Sequence, residues 1–294
     1  MSEGERLTGR RVLITGGSEG FGFALARACL REGASVLLCA RSGPKVEQAV
    51  GELAPLAHGG AVVKGMPADV SRPADVERLV AATLERLGGL DVLMANAGIY
   101  GPKGPIERID WDEWVRAVEI NLNGTVLSCR AVLPHFKAQR AGKIIVLSGG
   151  GATKPMPFLS AYAATKAAVV RFVETLAGEV AEVGIDCNSV APGALNTRLL
   201  AEVLRAGPEV VGRSFYEASL KQQATGGDGL EQGAALCVFL ASRASDGITG
   251  RLISAKWDRW SDLPGRREEL RRSDIYTLRR IVPEDRGFDF PLAG

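Results

Sequence analysis

Val12-Leu13-Ile14-Thr15-Gly16-Gly17-Ser18-Glu19-Gly20-Phe21-Gly22 decides the fold. A short apolar run ends in a glycine-rich turn and passes into a helical stretch that reaches to about residue 31. This order reads as buried strand, tight turn and helix. Gly16, Gly20 and Gly22 let the backbone turn sharply and approach a pyrophosphate closely. The helix N-terminus then offers unpaired N–H groups and the positive end of its dipole to phosphate oxygens. A plain strand–helix turn with packing glycines is the alternative; the strand–turn–helix context favours a nucleotide.

Outward from this stretch the pattern repeats. Further apolar runs stand at 36–40, 61–63, 92–95, 143–147, 185–190 and 252–254. Helical periods fill 44 onward, 73–87, 112–136 and 160 to about 183. Strands apolar on both faces, alternating with helices, predict an α/β fold: a doubly wound parallel sheet of about seven strands with helices on both faces. Residues 199–221 form a helical excursion before Gly226-Gly227-Asp228-Gly229, read either as a mobile flap or as an inert surface insertion. Residues 1–254 are predicted to form one dinucleotide-binding and catalytic domain. Residues 255–294 form a C-terminal extension with Trp257, Trp260, the pairs Arg266-Arg267 and Arg271-Arg272, and Phe288 and Phe290. Trp257 and Trp260 are spaced to share a helical face, and the extension is expected to lie against the body or a neighbouring subunit.

Composition excludes several classes. Lys+Arg is 36 and Asp+Glu is 34, a formal net charge of +2, so the electrostatic footprint of a nucleic-acid binder is missing. The five cysteines, Cys29, Cys39, Cys129, Cys187 and Cys237, are scattered and form no C-x-x-C. Neither a disulfide framework nor a zinc site follows, and a reducing compartment does. His58 and His135 belong to no ligand cluster, so no metal is expected. The N-terminus is polar and no run of about 18 apolar residues exists, which points to a cytoplasmic protein without a membrane partner.

The second strand ends Cys39-Ala40-Arg41-Ser42. An acid there would bind the adenine ribose hydroxyls of NAD(H); instead Arg41 offers a cation for a 2′-phosphate, and NADP(H) is the expected cofactor ahead of NAD(H). Glu19 in the glycine loop is slightly adverse to that extra phosphate. Asp69 is read either as an acceptor for the adenine amine or as a helix-capping acid before Ser71-Arg72-Pro73. Tyr162 and Lys166 stand one helical turn apart on one face. A neighbouring ammonium favours a phenolate, so Lys166 is expected to lower Tyr162 and fit it for proton exchange with a carbonyl or alcohol. Taken alone, such a pair is an ordinary helix surface.

Together these residues resemble the short-chain dehydrogenases/reductases, over about residues 7–254. The resemblance rests on Thr15-Gly16-x-x-x-Gly20-x-Gly22, Asn96-Ala97-Gly98, Asn121 in Asn121-Leu122-Asn123-Gly124, Tyr162-x-x-x-Lys166, and Asn188-Ser189-Val190-Ala191-Pro192-Gly193 followed by Thr197. It implies a Rossmann fold and hydride transfer between the cofactor and a small-molecule carbonyl or alcohol, with Tyr162 as general acid/base. Lys166 would hold the nicotinamide ribose and tune Tyr162. Asn121 would kink its helix and support a water-mediated relay to Lys166. Asn96 and Gly98 would border the cofactor, and Pro192, Gly193 and Thr197 would flank the nicotinamide and its phosphates. Ser18, Phe21 and Val70 complete the expected cofactor lining. Pairing of the long helices would give a homodimer or homotetramer.

Two departures stand out. The family's serine, thirteen residues before the tyrosine, falls on Gly149, with Ser148 beside it as a catalytic candidate. If the fifth strand stays regular, Ser148 faces away from Tyr162; the glycines after it could break the alternation. Without Ser148, a water, a backbone N–H of residues 149–151 or a substrate hydroxyl would help polarise the carbonyl. The usual terminal glycine-rich stretch is replaced by Ser254-Ala255-Lys256-Trp257. A cofactor-binding protein with little turnover, or an epimerase that oxidises transiently with bound NADP, are the competing readings.

Overall fold

A computed structural model describes residues 5–290. Seven strands run parallel in the order β3-β2-β1-β4-β5-β6-β7. They are β1 (Arg11–Thr15), β2 (Ser35–Ala40), β3 (Val63–Pro67), β4 (Val92–Ala95), β5 (Gly142–Leu147), β6 (Ile185–Ala191) and β7 (Arg251–Ser254). Helices α1 (Gly20–Arg31), α2 (Gly43–Leu53), α3 (Pro73–Leu87), α4 (Trp111–Val118), α5 (Gly124–Gln139) and α6 (Ser160–Glu179) connect the first six strands. Between β6 and β7 lie α7 (Arg198–Ala206), α8 (Pro208–Val211), α9 (Arg213–Ala224) and α10 (Leu230–Ala241), and α11 (Arg267–Arg271) follows β7.

The period-two alternation of the central strands divides the core. Val12, Ile14, Val36, Leu38, Val92 and Met94 face the layer that contains α1 and α10. Leu13, Leu37, Leu93 and Ile144 face the layer of α3, α5 and α6. Each such fully buried side chain contributes about 1.5–3 kcal/mol, so the sheet is a rigid platform for the loops at its C-terminal end. The chain steps outward from β1 to β3, then returns to β4 on the other side of β1. That reversal leaves a crevice beyond the strand ends. Among the described residues no helix is long and apolar enough to cross a membrane.

Several predicted bounds move. The third strand is 63–67 rather than 61–63, although Val62 already accepts the Val36 N–H (2.8 Å). It is an edge strand with exposed residues, and Gly65 seats it under Val46, whose Cγ1 would lie 2.4 Å from an added Cβ. The helix predicted over 112–136 is broken by a π-helical turn, Glu119–Asn123. α6 ends at Glu179, and a short 3₁₀ turn completes the stretch to residue 183. Trp257 and Trp260 do not share a helical face. The Ala255 N–H bonds to the Ala191 carbonyl (2.9 Å) and the chain turns there. Trp257 is 78% exposed, while Trp260 lies against Phe239, ring centroids 5.5 Å apart.

The residues after β7 cover its outer edge. The Leu252 N–H donates to the Tyr276 carbonyl (2.7 Å). The Arg251 guanidinium donates to the carbonyls of Ser273 (3.0 Å), Ile275 (2.7 Å) and Leu270. Leu263 and Leu270 join the core beside α10.

Candidate active site

The C-terminal ends of the strands open onto one continuous cleft of about 1140 Å³. Its floor is the glycine loop. Gly16 has φ 65°, and a Cβ there would lie 2.8 Å from Ala97 Cα; on Gly22 it would lie 2.1 Å from the Gly16 carbonyl oxygen. Only bare backbone fits. Glu19 precedes α1 without capping it through its side chain, so first-turn N–H groups stay available to an anion. Ser18 lines the loop. Asn96 ties it to β4: its Nδ2 donates to the carbonyls of Thr15 and Gly16 (3.0 Å each), and its N–H donates to Thr15 Oγ1 (3.0 Å). Phe21 is buried where α10 meets α1, since a Cβ on Gly233 would touch both Phe21 (2.9 Å) and Pro192 (3.0 Å). This cradle has the bare backbone and free N–H groups that a dinucleotide's phosphates require.

At the end of β2, Arg41 lines the cleft, exposed and, among the described residues, without an ion pair or hydrogen bond. The repulsion foreseen from Glu19 is corrected by its neighbours. Lys45 (2.7 Å) and Arg198 (3.3 Å) pair with it, and the Lys45 hydrogen bond above all holds the carboxyl below its ordinary range. Asp69 is also corrected, since it does not cap α3, whose N-cap is Arg72. Its Oδ1 accepts from the Ser71 N–H (3.0 Å) and hydroxyl (2.7 Å), and its Oδ2 accepts from Arg116 (2.7 Å). Burial opposes ionisation, but Ser71 and Arg116 outweigh it and keep Asp69 low. The carboxylate therefore fastens α4 to the β3–α3 turn while lining the cleft. Val70 is buried beside Gly124, where a Cβ would meet it at 2.8 Å.

At the other end stand Tyr162 and Lys166. Lys166 Nζ lies 5.6 Å from the Tyr162 ring centroid and donates to the Leu147 carbonyl (2.7 Å). Burial pushes its pKa down to about 8. Burial, and secondarily Tyr100, pushes the Tyr162 phenol upward. The expected lowering of the phenol by Lys166 is thus overturned in the protein alone, because desolvation dominates and the ammonium is turned to a carbonyl. At neutral pH the Tyr162 phenol is neutral, and among the described residues it has no hydrogen-bond partner. Gly98 lies between the two helices: a Cβ on it would stand 3.3 Å from Asn121 Oδ1 and 3.6 Å from Lys166 Nζ.

Asn121 sits in the π-helical turn, 2% exposed. Its Oδ1 accepts from the Ile99 N–H (2.9 Å), and its Nδ2 donates to the Ile99 carbonyl (2.9 Å) and to Thr165 Oγ1 (3.0 Å). The helix irregularity expected there is present, and the side chain staples residues 96–100 to α6.

Ser148 is placed by the pleat. Its N–H continues the β5–β6 ladder to the Val190 carbonyl (2.8 Å), and Gly149 remains extended (φ 169°, ψ 179°). The Ser148 hydroxyl is buried and donates to the main-chain carbonyl of Lys166 (3.1 Å). The catalytic candidacy of Ser148 is corrected accordingly: it supports α6 and makes no bond to Tyr162. Gly149 takes the facing position, where a Cβ would lie 3.0 Å from Tyr162 Oη.

Beyond β6, Gly193 (φ 106°) passes so close to Asp228 that a Cβ would meet Oδ2 at 2.7 Å. Asp228 accepts from the Ala194 N–H (2.7 Å) and pairs with Lys256 (2.7 Å), joining the loops after β6 and β7. Pro192 lines the same wall, and Thr197 stands 3.7 Å from the position of a Cβ on Gly20. Helix α7 spans the cleft with an ion-pair chain. Arg198 pairs with Glu19 (3.3 Å) and Glu202 (3.6 Å), and Glu202 with Lys103 (3.3 Å).

The sequence reading did not single out Tyr100, whose ring meets Tyr162 edge-on at 4.6 Å between centroids. Its signal was its place two residues after Gly98 in a cleft-lining loop. Trp257, Tyr276 and Thr277 of the tail also line the cleft; nothing local in the sequence announces that.

Residues 10–206 match the short chain dehydrogenase family. The 3beta-hydroxysteroid dehydrogenase 1 of Eggerthella lenta is 36% identical over 248 residues, which cover 84% of this chain and 92% of that protein. The crystal structure of levodione reductase superposes with a TM-score of 0.77 at 33% identity, covering 85% of this chain and 96% of that one. The 3-ketoacyl-(acyl-carrier-protein) reductase of Brucella melitensis, solved with NADH, gives a TM-score of 0.73 at 31% identity, covering 84% and 97%. Matches that run through both the nucleotide cradle and the Tyr162 helix lead to one conclusion: the chain belongs to the short-chain dehydrogenases/reductases and is an NAD(P)-dependent oxidoreductase.

Proposed function

We propose that the enzyme interconverts a carbonyl and a secondary alcohol on a small molecule, with NADP(H) preferred to NAD(H) and Tyr162 as the general acid/base. The observation that carries this reading is the Tyr162 phenol, held neutral by burial at the cleft, one turn from Lys166. Bound nicotinamide supplies the hydride-transfer chemistry. Gly16, Ser18, Gly20, Phe21 and Gly22 form the phosphate cradle, with Val70, Asn96 and Gly98 along one wall and Pro192, Gly193 and Thr197 along the other. Arg41, which has no ion pair or hydrogen bond among the described residues, would receive the 2′-phosphate. Lys166 would hold the nicotinamide ribose and, as an ammonium one turn away, would polarise the phenol. In reduction Tyr162 gives its proton to the carbonyl oxygen; in oxidation it takes one from the alcohol.

The five cysteines are free and buried, in keeping with a cytoplasmic setting. We take the assembly to be a homodimer or homotetramer. Trp111, 65% exposed and stacked on Trp114 at 5.3 Å, gives the start of α4 an exposed aromatic spot that suits association.

The test follows NADPH absorbance over a panel of cyclic ketones, 3-oxosteroids and β-keto esters. Tyr162→Phe should retain NADPH binding and lose most turnover; near-wild-type turnover would refute the role of Tyr162. Arg41→Asp should weaken NADPH far more than NADH, and equal losses would refute the cofactor preference.

A further inference from the structure

A carbonyl oxygen that gathers negative charge during reduction is best met by two hydrogen-bond donors fixed in place beforehand. Tyr162 is one. The residue facing it, Gly149, has no side chain, and the Ser148 hydroxyl is engaged by the Lys166 carbonyl. The phenol oxygen also crowds Gly149: a Cβ there would lie only 3.0 Å from it. The second donor must come from elsewhere in the cleft.

Tyr100 meets the requirements. Its ring touches Tyr162 edge-on, centroids 4.6 Å apart, so the two phenols share one region of the cleft. Among the described residues its hydroxyl has no hydrogen-bond partner, and Tyr100 lines the cleft. The ring is held from two sides. Lys103 Nζ lies 5.7 Å over it, itself paired with Glu202 of α7, and the preceding Ile99 is stapled by Asn121. We propose that Tyr100 donates the second hydrogen bond to the substrate's carbonyl oxygen, in the place that Gly149 leaves without a side chain; this rests on Tyr162 acting as the proton donor. Burial pushes Tyr100 up to about 12, so it keeps its proton through the neutral range and acts as a donor only. No bond is broken at Tyr100: Tyr162 transfers the proton, while Tyr100 lowers the energy of the charged oxygen.

The experiment compares Tyr100→Phe, which keeps the ring and loses the hydroxyl, with Tyr100→Leu and Tyr162→Phe. Two readouts are used: kcat/KM with NADPH on the panel carbonyl that the wild type reduces fastest, and binding of cyclohexanecarboxamide, a carbonyl that is not reduced, to the NADPH-loaded enzyme by cofactor fluorescence. Removing one such donor reduces rate by about 10²-fold or more. Tyr100→Phe should lose about that much kcat/KM and bind the amide about tenfold more weakly, with NADPH affinity unchanged. Wild-type behaviour of Tyr100→Phe with a loss only in Tyr100→Leu makes Tyr100 a packing residue and overturns the proposal, as does failure of the wild type to bind the amide. Tyr162→Phe at near-wild-type turnover sinks the underlying reading instead, so the two failures are distinct.

Discussion

Replacing Asn121 with alanine removes three hydrogen bonds at one stroke. The Ile99 N–H and carbonyl lose their side-chain partners, and Thr165 Oγ1 loses a donor. Thr165 keeps its own bonds to the carbonyls of Ala161 and Tyr162 (2.8 and 3.0 Å), so its loss is small. The two main-chain groups of Ile99 are the serious cost, about 1–3 kcal/mol each when buried without a partner. Ile99 is only half-buried and water reaches part of the loop, so a total of about 2–4 kcal/mol is appropriate. For a chain of this size each kcal/mol lowers Tm by about 2 °C, which gives a drop of about 4–8 °C. Because the stapled loop carries Gly98 and Tyr100, turnover should fall as well, with Asn121→Asp intermediate: it keeps an acceptor for the N–H but loses the donor. Calorimetry of the cofactor-free variants measures the effect. A Tm within 1 °C of wild type for Asn121→Ala would show that the side chain is not a staple.

Lys166 makes the fold less stable below pH 8. Its folded pKa lies near 8 against an ordinary 10.5, so the unfolded chain binds more protons between those values and this group's contribution to stability rises with pH across that window. The penalty below pH 8 is about 3 kcal/mol, so cofactor-free Lys166→Met should be more stable than wild type at pH 7, the advantage shrinking towards pH 10.5. An advantage that does not change with pH in denaturant titrations would contradict this. Gly149→Ser puts a Cβ 3.0 Å from Tyr162 Oη, so turnover should fall about tenfold with NADPH binding intact, a size set by misplacing a catalytic group; a faster enzyme would show that the phenol gives way freely. Arg251→Met leaves the carbonyls of Ser273 and Ile275 without their donor and that of Leu270 with only the Ser273 N–H, and trypsin should then cut at Arg271, Arg272, Arg279 or Arg280 while the body survives. Unchanged resistance to trypsin would refute the anchoring role.

How much of this was legible in the sequence follows from how local each determinant is. β1, β2 and β4 to β7 are visible because strands covered on both faces are short apolar runs. β3 is an edge strand, Val-Lys-Gly-Met-Pro, whose place is set by its ladder to β2 and by the room Gly65 leaves under α2. The π-helical turn at Asn121 inserts into a continuous helical pattern that periodicity cannot resolve. The spacing of Tyr162 and Lys166 put them on one helix face, although only the ordered set of motifs singled the pair out, and the alternation of β5 anticipated that a regular strand turns Ser148 from the phenol. The downward shift of Lys166 was not readable, since it comes from burial by residues distant in sequence. The contact of Tyr100 with Tyr162 joins the loop after β4 to α6 and likewise has no local signature.

The segment after β7 lies along the outer edge of that strand, with the Leu252 N–H bonded to the Tyr276 carbonyl, while Trp257, Tyr276 and Thr277 stand in the wall of the cleft. A second copy therefore cannot readily extend the sheet by adding a strand at β7, which leaves the β3 edge and the helical faces as the surfaces open to association. The same stretch also couples two traits that evolve apart in enzymes whose specificity loops stand free of the core: a substitution there that reshapes the binding wall also loosens or tightens the seal on the sheet, so altered substrate preference and altered resistance to heat should arise together.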